Sequence, residues 1–177
     1  NLSLIQILLR KNIEMKKYDF QIFSENNSNI KSIESLYNDV FGNDRNQRSI
    51  YYLRTGKKIN ELCFVIKNSD IDIYACIRYW LINIGLVKGL LLGPLAVRKD
   101  MQGYGLGSML INHSIKLAKE KKYKFCFVSG EANYYPKFGF KKINVEQLIL
   151  PGYIDPKRLH IIFFEEEIKN KMGNKPW

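Results

Sequence analysis

The segment Gly93-Pro94-Leu95-Ala96-Val97-Arg98-Lys99-Asp100-Met101-Gln102-Gly103-Tyr104-Gly105-Leu106-Gly107-Ser108 decides how this chain is read. Gly89 to Arg98 is an apolar run of strand character with Gly93-Pro94 in its middle. Proline brings no N–H to a ladder, so a strand tolerates it only at an edge or a bulge. Gly93-Pro94 is therefore expected to be a bulge that loosens the strand from one neighbour. After it, Gly103, Gly105 and Gly107 alternate just ahead of a helical pattern. Glycines there let the backbone turn sharply and present successive N–H groups, and a helix N-terminus adds a partial positive charge. Together they make an anion site; a tight strand-to-helix turn without a ligand is the plainer alternative.

Three familiar phosphate loops fail against these residues. A Walker A loop needs a Lys after its second glycine, and none stands there. A Rossmann fingerprint needs a third glycine where Ser108 stands, and its ribose-binding acid belongs where Phe127-Val128-Ser129 ends the next strand. A kinase loop would be followed by a catalytic Lys and an Asp-Phe-Gly motif, and neither is present.

Gln102-x-x-Gly105-x-Gly107 resembles, position by position, the acetyl-CoA loop of the Gcn5-related N-acetyltransferase (GNAT) superfamily. Downstream, Tyr135-Pro136-Lys137-Phe138-Gly139-Phe140 is similar to the family's second signature, Tyr-x-x-x-Gly-Phe. Gly93 to Val97, the loop, and Ala132-Asn133-Tyr134-Tyr135-Pro136 together resemble a bacterial subgroup of N-acetyltransferases. The resemblance implies a single α/β domain with a mixed, mostly antiparallel sheet, splayed at the cofactor site and flanked by helices. It implies acetyl-CoA as cosubstrate and direct transfer to a primary amine on a small molecule or protein. Leu95, Ala96 and Val97 would pair with pantetheine, and Gln102, Gly103, Tyr104, Gly105, Leu106, Gly107 and Ser108 would hold the pyrophosphate. Tyr135 would protonate the departing thiolate, and the Leu95 N–H is the candidate donor to the oxyanion. The strand-end Asn of many members is replaced by Ser129-Gly130-Glu131, so Asn133, displaced downstream, is taken as the remaining cofactor contact. No acid lies on the strand before the loop, which leaves Glu131 or a water as the base.

Outward from the motifs, hydrophobic periodicity predicts strands over 18–23, 61–67, 71–80, 89–98, 124–129, 140–145 and 159–165. Helices are predicted from about Ile30 to Gly42, capped by Ser28 or Asn29, from Arg45 to Arg54, and from the glycine loop to about Lys121. Leu106, Leu110, Ile111, Ile115, Leu117 and Ala118 share the inner face of the last of these, with Asn112, Lys116 and Lys119 outside. Residues 132–138 read as a short helix or turn, Pro151-Gly152 as a turn, and Asn43–Asn60 and Leu81–Lys88 as the segments that set acceptor specificity.

The whole chain has 177 residues, the size of one domain. Residues 1–14 read as an extension ahead of a plausible start at Met15, 15–168 as the catalytic domain and 169–177 as a polar tail. No stretch offers the roughly 20 apolar residues of a membrane span. Cys63, Cys76 and Cys126 are an odd number without a Cys-x-x-Cys pair, which excludes a disulfide scaffold or a zinc site and suits a reducing cytoplasm. A net charge of +11 favours polyanionic partners, and a phosphate-rich cosubstrate is one. The run Lys116, Lys119, Lys121, Lys122, Lys124 reads as a solvated face before a nucleic-acid contact. Two other functions stay open: a CoA-binding sensor or assembly module without turnover, and a basic nucleic-acid-binding protein. His113 reads as structural, and Cys126 as an inert core thiol.

Overall fold

The computed structural model describes residues 19–143, 150 and 152–172. The expected extension, the Met15 start and residues 173–177 of the tail lie outside them. Seven strands form one sheet in the order β1-β2-β3-β4-β5-β7-β6. They are β1 (Ile22–Ser24), β2 (Phe64–Lys67), β3 (Ile73–Ile84), β4 (Val87–Val97), β5 (Phe125–Ser129), β6 (Lys141–Lys142) and β7 (Leu159–Phe163). Every pair is antiparallel except β4–β5, which the crossover through a helix makes parallel.

Helices cover both faces. Helix α1 (Ile30–Phe41) sets Ile33, Leu36 and Tyr37 against Val65, Cys76 and Ala96. Helix α2 (Leu106–Glu120) sets Leu106, Leu110, Ile111 and Ala118 against Ala75, Ile77, Tyr79 and Leu92 on the other face. Asn112, Lys116 and Lys119 are exposed, as the periodicity requires. Ser114, inside the same helix, sits 2.7 Å from the buried Tyr79 hydroxyl and donates to Leu110 O, which satisfies both hydroxyls. A short α3 (Glu166–Met172) closes the described chain.

Several elements differ from their sequence reading. The first strand begins at Ile22, and α1 is preceded by a 3₁₀ turn, Asn27–Asn29, capped by Asn26 rather than by Ser28 or Asn29. The Asn26 side chain accepts from Ser28 N–H while the Asn29 side chain accepts from Asn26 N–H, a reciprocal box that local polar spacing alone does not distinguish from a simple cap. Arg45 to Arg54 is two 3₁₀ turns, Arg45–Gln47 and Ser49–Leu53, because its side chains pack into the cleft and carry no helical stripe. β3 and β4 run on into one long hairpin that turns at Gly85, where φ is +56°, so Leu81–Lys88 is mostly ladder rather than a free loop. The closing strand after Phe140 is described for Lys141–Lys142 alone, and a helix over Glu166–Met172 runs into the first residues of the polar tail.

The bulge falls on β4. Ile77 faces Leu95 and Tyr79 faces Leu92, so Gly93 and Pro94 together oppose the single residue Arg78. Beyond this point β4 keeps β3 through Val97, but its ladder to β5 ends at Leu92–Val128. The two central strands part there.

Candidate active site

The parting opens a cleft of about 850 Å³. One wall is the freed end of β4, where Leu95 and Val97 line the space while Ala96, 1% exposed, turns into the α1 core. Opposite stand the end of β5, Ser129 to Glu131, and the 3₁₀ turn Tyr135–Phe138.

The glycine loop closes one end. Gly103 (φ +87°) and Gly105 (φ +79°) hold left-handed conformations that other residues rarely adopt. Gly105 is the N-cap of α2, and a Cβ there would meet no atom within 4 Å, so the loop faces open space. The Met109 N–H makes a 3.0 Å bond to Gly105 O. The N–H groups of Leu106, Gly107 and Ser108 therefore precede the first intrahelical bond, and all three residues line the cleft. Gln102 donates from Nε2 to Val97 O at 3.3 Å, tying the loop to the strand that precedes it. A Cβ on Gly107 would lie 2.6 Å from Tyr134 Oη, so that glycine is required by the close approach of a phenol.

Of the residues singled out in the sequence, Leu95, Val97, Gln102, Gly103, Gly105, Leu106, Gly107, Ser108 and Tyr135 meet in this one cleft. Three do not line it. Ala96 faces the core, Tyr104 packs edge-on to Phe20 at 6.4 Å, and Asn133 is exposed on the turn before Tyr134. The glycine loop is thus engaged through its backbone, and Tyr104 through its ring on the body of the fold.

Tyr135 is 6% exposed and sits between Tyr134, Phe140 and His160. A Cβ on Gly130 would fall 2.0 Å from its Cε2, so Gly130 makes room for the ring. Burial raises the Tyr135 hydroxyl well above the ordinary phenol value, and neighbouring Tyr134 adds to the rise. Burial also raises Tyr134, against a hydrogen bond with Ser108 that lowers it. Glu131 lies at the rim and pairs with Arg158 at 2.9 Å.

The far end of the cleft was not read from sequence beyond its location within Asn43–Asn60. Arg48, Ser49, Ile50, Tyr51 and Arg54 line it, whereas no residue of Leu81–Lys88 does. No motif marks these side chains, because the 3₁₀ turns that present them have no distinctive spacing. Behind them, Trp80 Nε1 donates to Gly93 O (2.9 Å) and the Tyr37 hydroxyl to Pro94 O (3.1 Å), fixing both bulge carbonyls. Arg78 grips Glu25 with two bonds of 2.8 and 2.9 Å and also reaches Glu34, which Arg45 shares.

The three cysteines are free and buried, and burial pushes the thiols of Cys63 and Cys76 up to about 11 and about 12. Such thiols are inert. Among the described residues there is no group of His, Cys, Asp and Glu able to hold a metal ion, and no helix long and apolar enough to cross a membrane. His113 is exposed and packs edge-on to Phe64 at 4.6 Å.

A strand pair parted at a bulge, facing a glycine-lined helix N-terminus, is the architecture of an acyl-CoA N-acyltransferase. Residues 60–142 match the family model described as acetyltransferase (GNAT) domain. With the fold, that match supports membership of the GNAT superfamily. Similar solved structures include the GNAT family N-acetyltransferase YhbS of Escherichia coli in complex with CoA. It is 18% identical with a TM-score of 0.68, covering 85% of this chain and 84% of that one. A GNAT family acetyltransferase of Brucella melitensis in complex with acetyl-CoA is 22% identical with a TM-score of 0.58, covering 82% and 88%. Arabidopsis thaliana Naa50, bound to the bisubstrate analogue CoA-Ac-MVNAL, is 18% identical with a TM-score of 0.55, covering 81% and 97%. At these identities the likeness is one of fold. No curated protein matches the chain by sequence.

Proposed function

We propose that this protein is a cytoplasmic, acetyl-CoA-dependent N-acetyltransferase that moves an acetyl group directly to a primary amine. One observation carries the reading: β4 leaves β5 at Gly93 in the same cleft that receives the open N–H groups of α2. The residues present fit the cosubstrate. The β4 edge at Leu95–Val97 suits an extended chain bearing amides, and the Leu106–Ser108 N–H groups suit a pyrophosphate. Relatives of the fold bound to CoA, acetyl-CoA and a CoA-peptide conjugate support the same choice.

Bound acetyl-CoA supplies the thioester carbonyl. The amine nitrogen attacks it as a free base, a C–N bond forms, the C–S bond breaks, and the thiolate takes up a proton. In this chain the Leu95 N–H next to the bulge is the donor for the charge developing on the carbonyl oxygen. The Tyr135 hydroxyl, kept protonated by burial, gives the proton to the sulfur. Glu131, or water at that rim, receives the proton from the amine.

Calorimetry with acetyl-CoA, followed by thiol release with a panel of primary amines, tests the proposal. Binding together with amine-dependent release of CoA is expected. Absent binding overturns the reading, and binding without turnover by any amine assigns the fold to a CoA-responsive module instead.

A further inference from the structure

The far end of the cleft holds a cation that the fold does not balance. The Arg54 guanidinium stacks on the Tyr51 ring, 3.8 Å from its centroid. Its Nε and Nη1 are enclosed and meet no hydrogen-bond partner among the described residues. Nη2 lies against the bulge, 3.1 Å from where a Cβ on Gly93 would stand. Arg45 and Arg78, its cationic neighbours, share Glu34, and Arg78 also holds Glu25, so both carboxylates of that cluster are already engaged. The only carboxylate lining the cleft among the described residues is Glu131, on the wall opposite β4, and it pairs with Arg158. Burial lowers the Arg54 pKa from its ordinary value, and Tyr51 offsets only part of that effect.

The position of this charge identifies which substrate it serves. Arg54 lines the cleft and also an adjoining cavity of about 250 Å³ bounded by Tyr37, Arg78, Trp80 and the Glu34–Arg45 pair, whose carboxylate is already held by two arginines. Tyr37 belongs to α1, on the face of the sheet opposite α2 and its glycine loop. Arg54 is therefore no part of the phosphate cradle; it stands across the parted strands from it. It is also close to the reacting centre, since Gly93 and Leu95 are only two residues apart, roughly 7 Å along a strand.

We propose that the acceptor is a small amino acid-like molecule, its carboxylate bound by Arg54 and its amine a few bonds away at the thioester. This deepens the acetyltransferase reading and rests on it. A half-buried guanidinium with two enclosed, unpartnered nitrogens is costly alone and binds strongly to a planar anion, so the site favours charged acids over their neutral amides. The step stays as written above: the nitrogen gains the acetyl group, the sulfur gains the proton, and the carboxylate is unchanged.

The test compares thiol release from acetyl-CoA with glycine, β-alanine, L-alanine, L-phenylalanine and L-glutamate, each against its carboxamide, with O-phosphoethanolamine against ethanolamine as a phosphate arm. At least one acid is expected to exceed its amide in kcat/KM by about 10–100-fold, the range of a charge-assisted hydrogen bond. In Arg54→Gln that preference should fall to within about threefold while acetyl-CoA affinity by calorimetry is kept. Arg54→Lys, which keeps a cation, should restore part of the preference and guards against a folding defect in the first variant. Amides turned over as well as acids, an acid preference that survives in Arg54→Gln, or a preference for the phosphate arm over every acid would each overturn the proposal. So would acetyl-CoA binding without turnover of any member. Loss of acetyl-CoA binding by the unaltered protein would instead strike the acetyltransferase reading itself.

Discussion

Tyr135 and Tyr134 are neighbours in sequence with different duties in space. Tyr135 is enclosed against Gly130, and Tyr134 stands over Gly107 at the mouth of α2. If the Tyr135 hydroxyl protonates sulfur, Tyr135→Phe keeps the ring and its packing but loses the donor. Acetyl-CoA affinity should stay within about threefold while kcat falls by about 10²–10³, as for loss of a general acid. Tyr134→Phe, the control, should keep kcat within about fivefold. The pH profile follows from the sign of the shift. The acid works in its protonated form, and burial raises its pKa, so protonation persists to higher pH. Activity should climb as the acceptor amine deprotonates and show no alkaline fall below about pH 10, where an ordinary phenol titrates. Gly130→Ala is a second probe of the same ring: the added methyl would displace it, so kcat should drop at least about tenfold while calorimetry still finds acetyl-CoA bound.

Among the elements, the loop and α2 carry the prediction that separates a ligand site from a turn. Gly105→Glu forces a side chain into a left-handed position and sets a negative charge at a helix N-terminus built for anions. Acetyl-CoA binding should disappear from calorimetry, with circular dichroism showing a folded protein; unchanged affinity would remove this loop from the site. The loop was legible in sequence because glycine spacing and the flanking strand and helix declare themselves locally. The bulge was legible for the same reason, since Gly93-Pro94 announces it. Arg54 was not, because its meaning lies in what surrounds it: Tyr51 beneath, Gly93 beside, and carboxylates that have gone to other arginines. Asn133 shows the converse. A motif's residue type is present at nearly the right place, yet the turn from Glu131 to Tyr134 leaves it exposed outside the cleft. The Arg45–Arg54 segment misled for want of a stripe, and the β3–β4 hairpin for want of a strong turn signal beyond Gly85.

Across the whole molecule, the first strand, α1 and β3 are tied by charge. Burial alone would raise Glu25, but hydrogen bonds from Arg78 and Lys58 outweigh it and hold its pKa below the ordinary value of 4.5. Glu34 is likewise lowered, against burial, by Arg45 and Arg78. Both carboxylates bind protons less readily when folded, so their contribution is present above pH 4.5 and is lost as pH falls through the lowered native values. Urea titrations should show stability falling below about pH 4.5. Glu25→Gln should lose about 3 kcal/mol at neutral pH, the cost of breaking a buried pair, and show a shallower acid decline.

The seam between β4 and β5 has a mechanical consequence. Three residue pairs, Leu90–Cys126 to Leu92–Val128, join a four-strand leaf (β1 to β4) to a three-strand leaf (β5, β7, β6). Such a short seam is where two cooperative units can breathe apart, and a guest seated along the free edge of β4 acts as a rivet across it. Amide exchange near Leu95–Val97 and Phe127–Ser129 should be faster than in β3 without acetyl-CoA, and should slow most on its addition, with a higher Tm. Filling the seam is then expected to stiffen the sheet at the line where its two leaves meet.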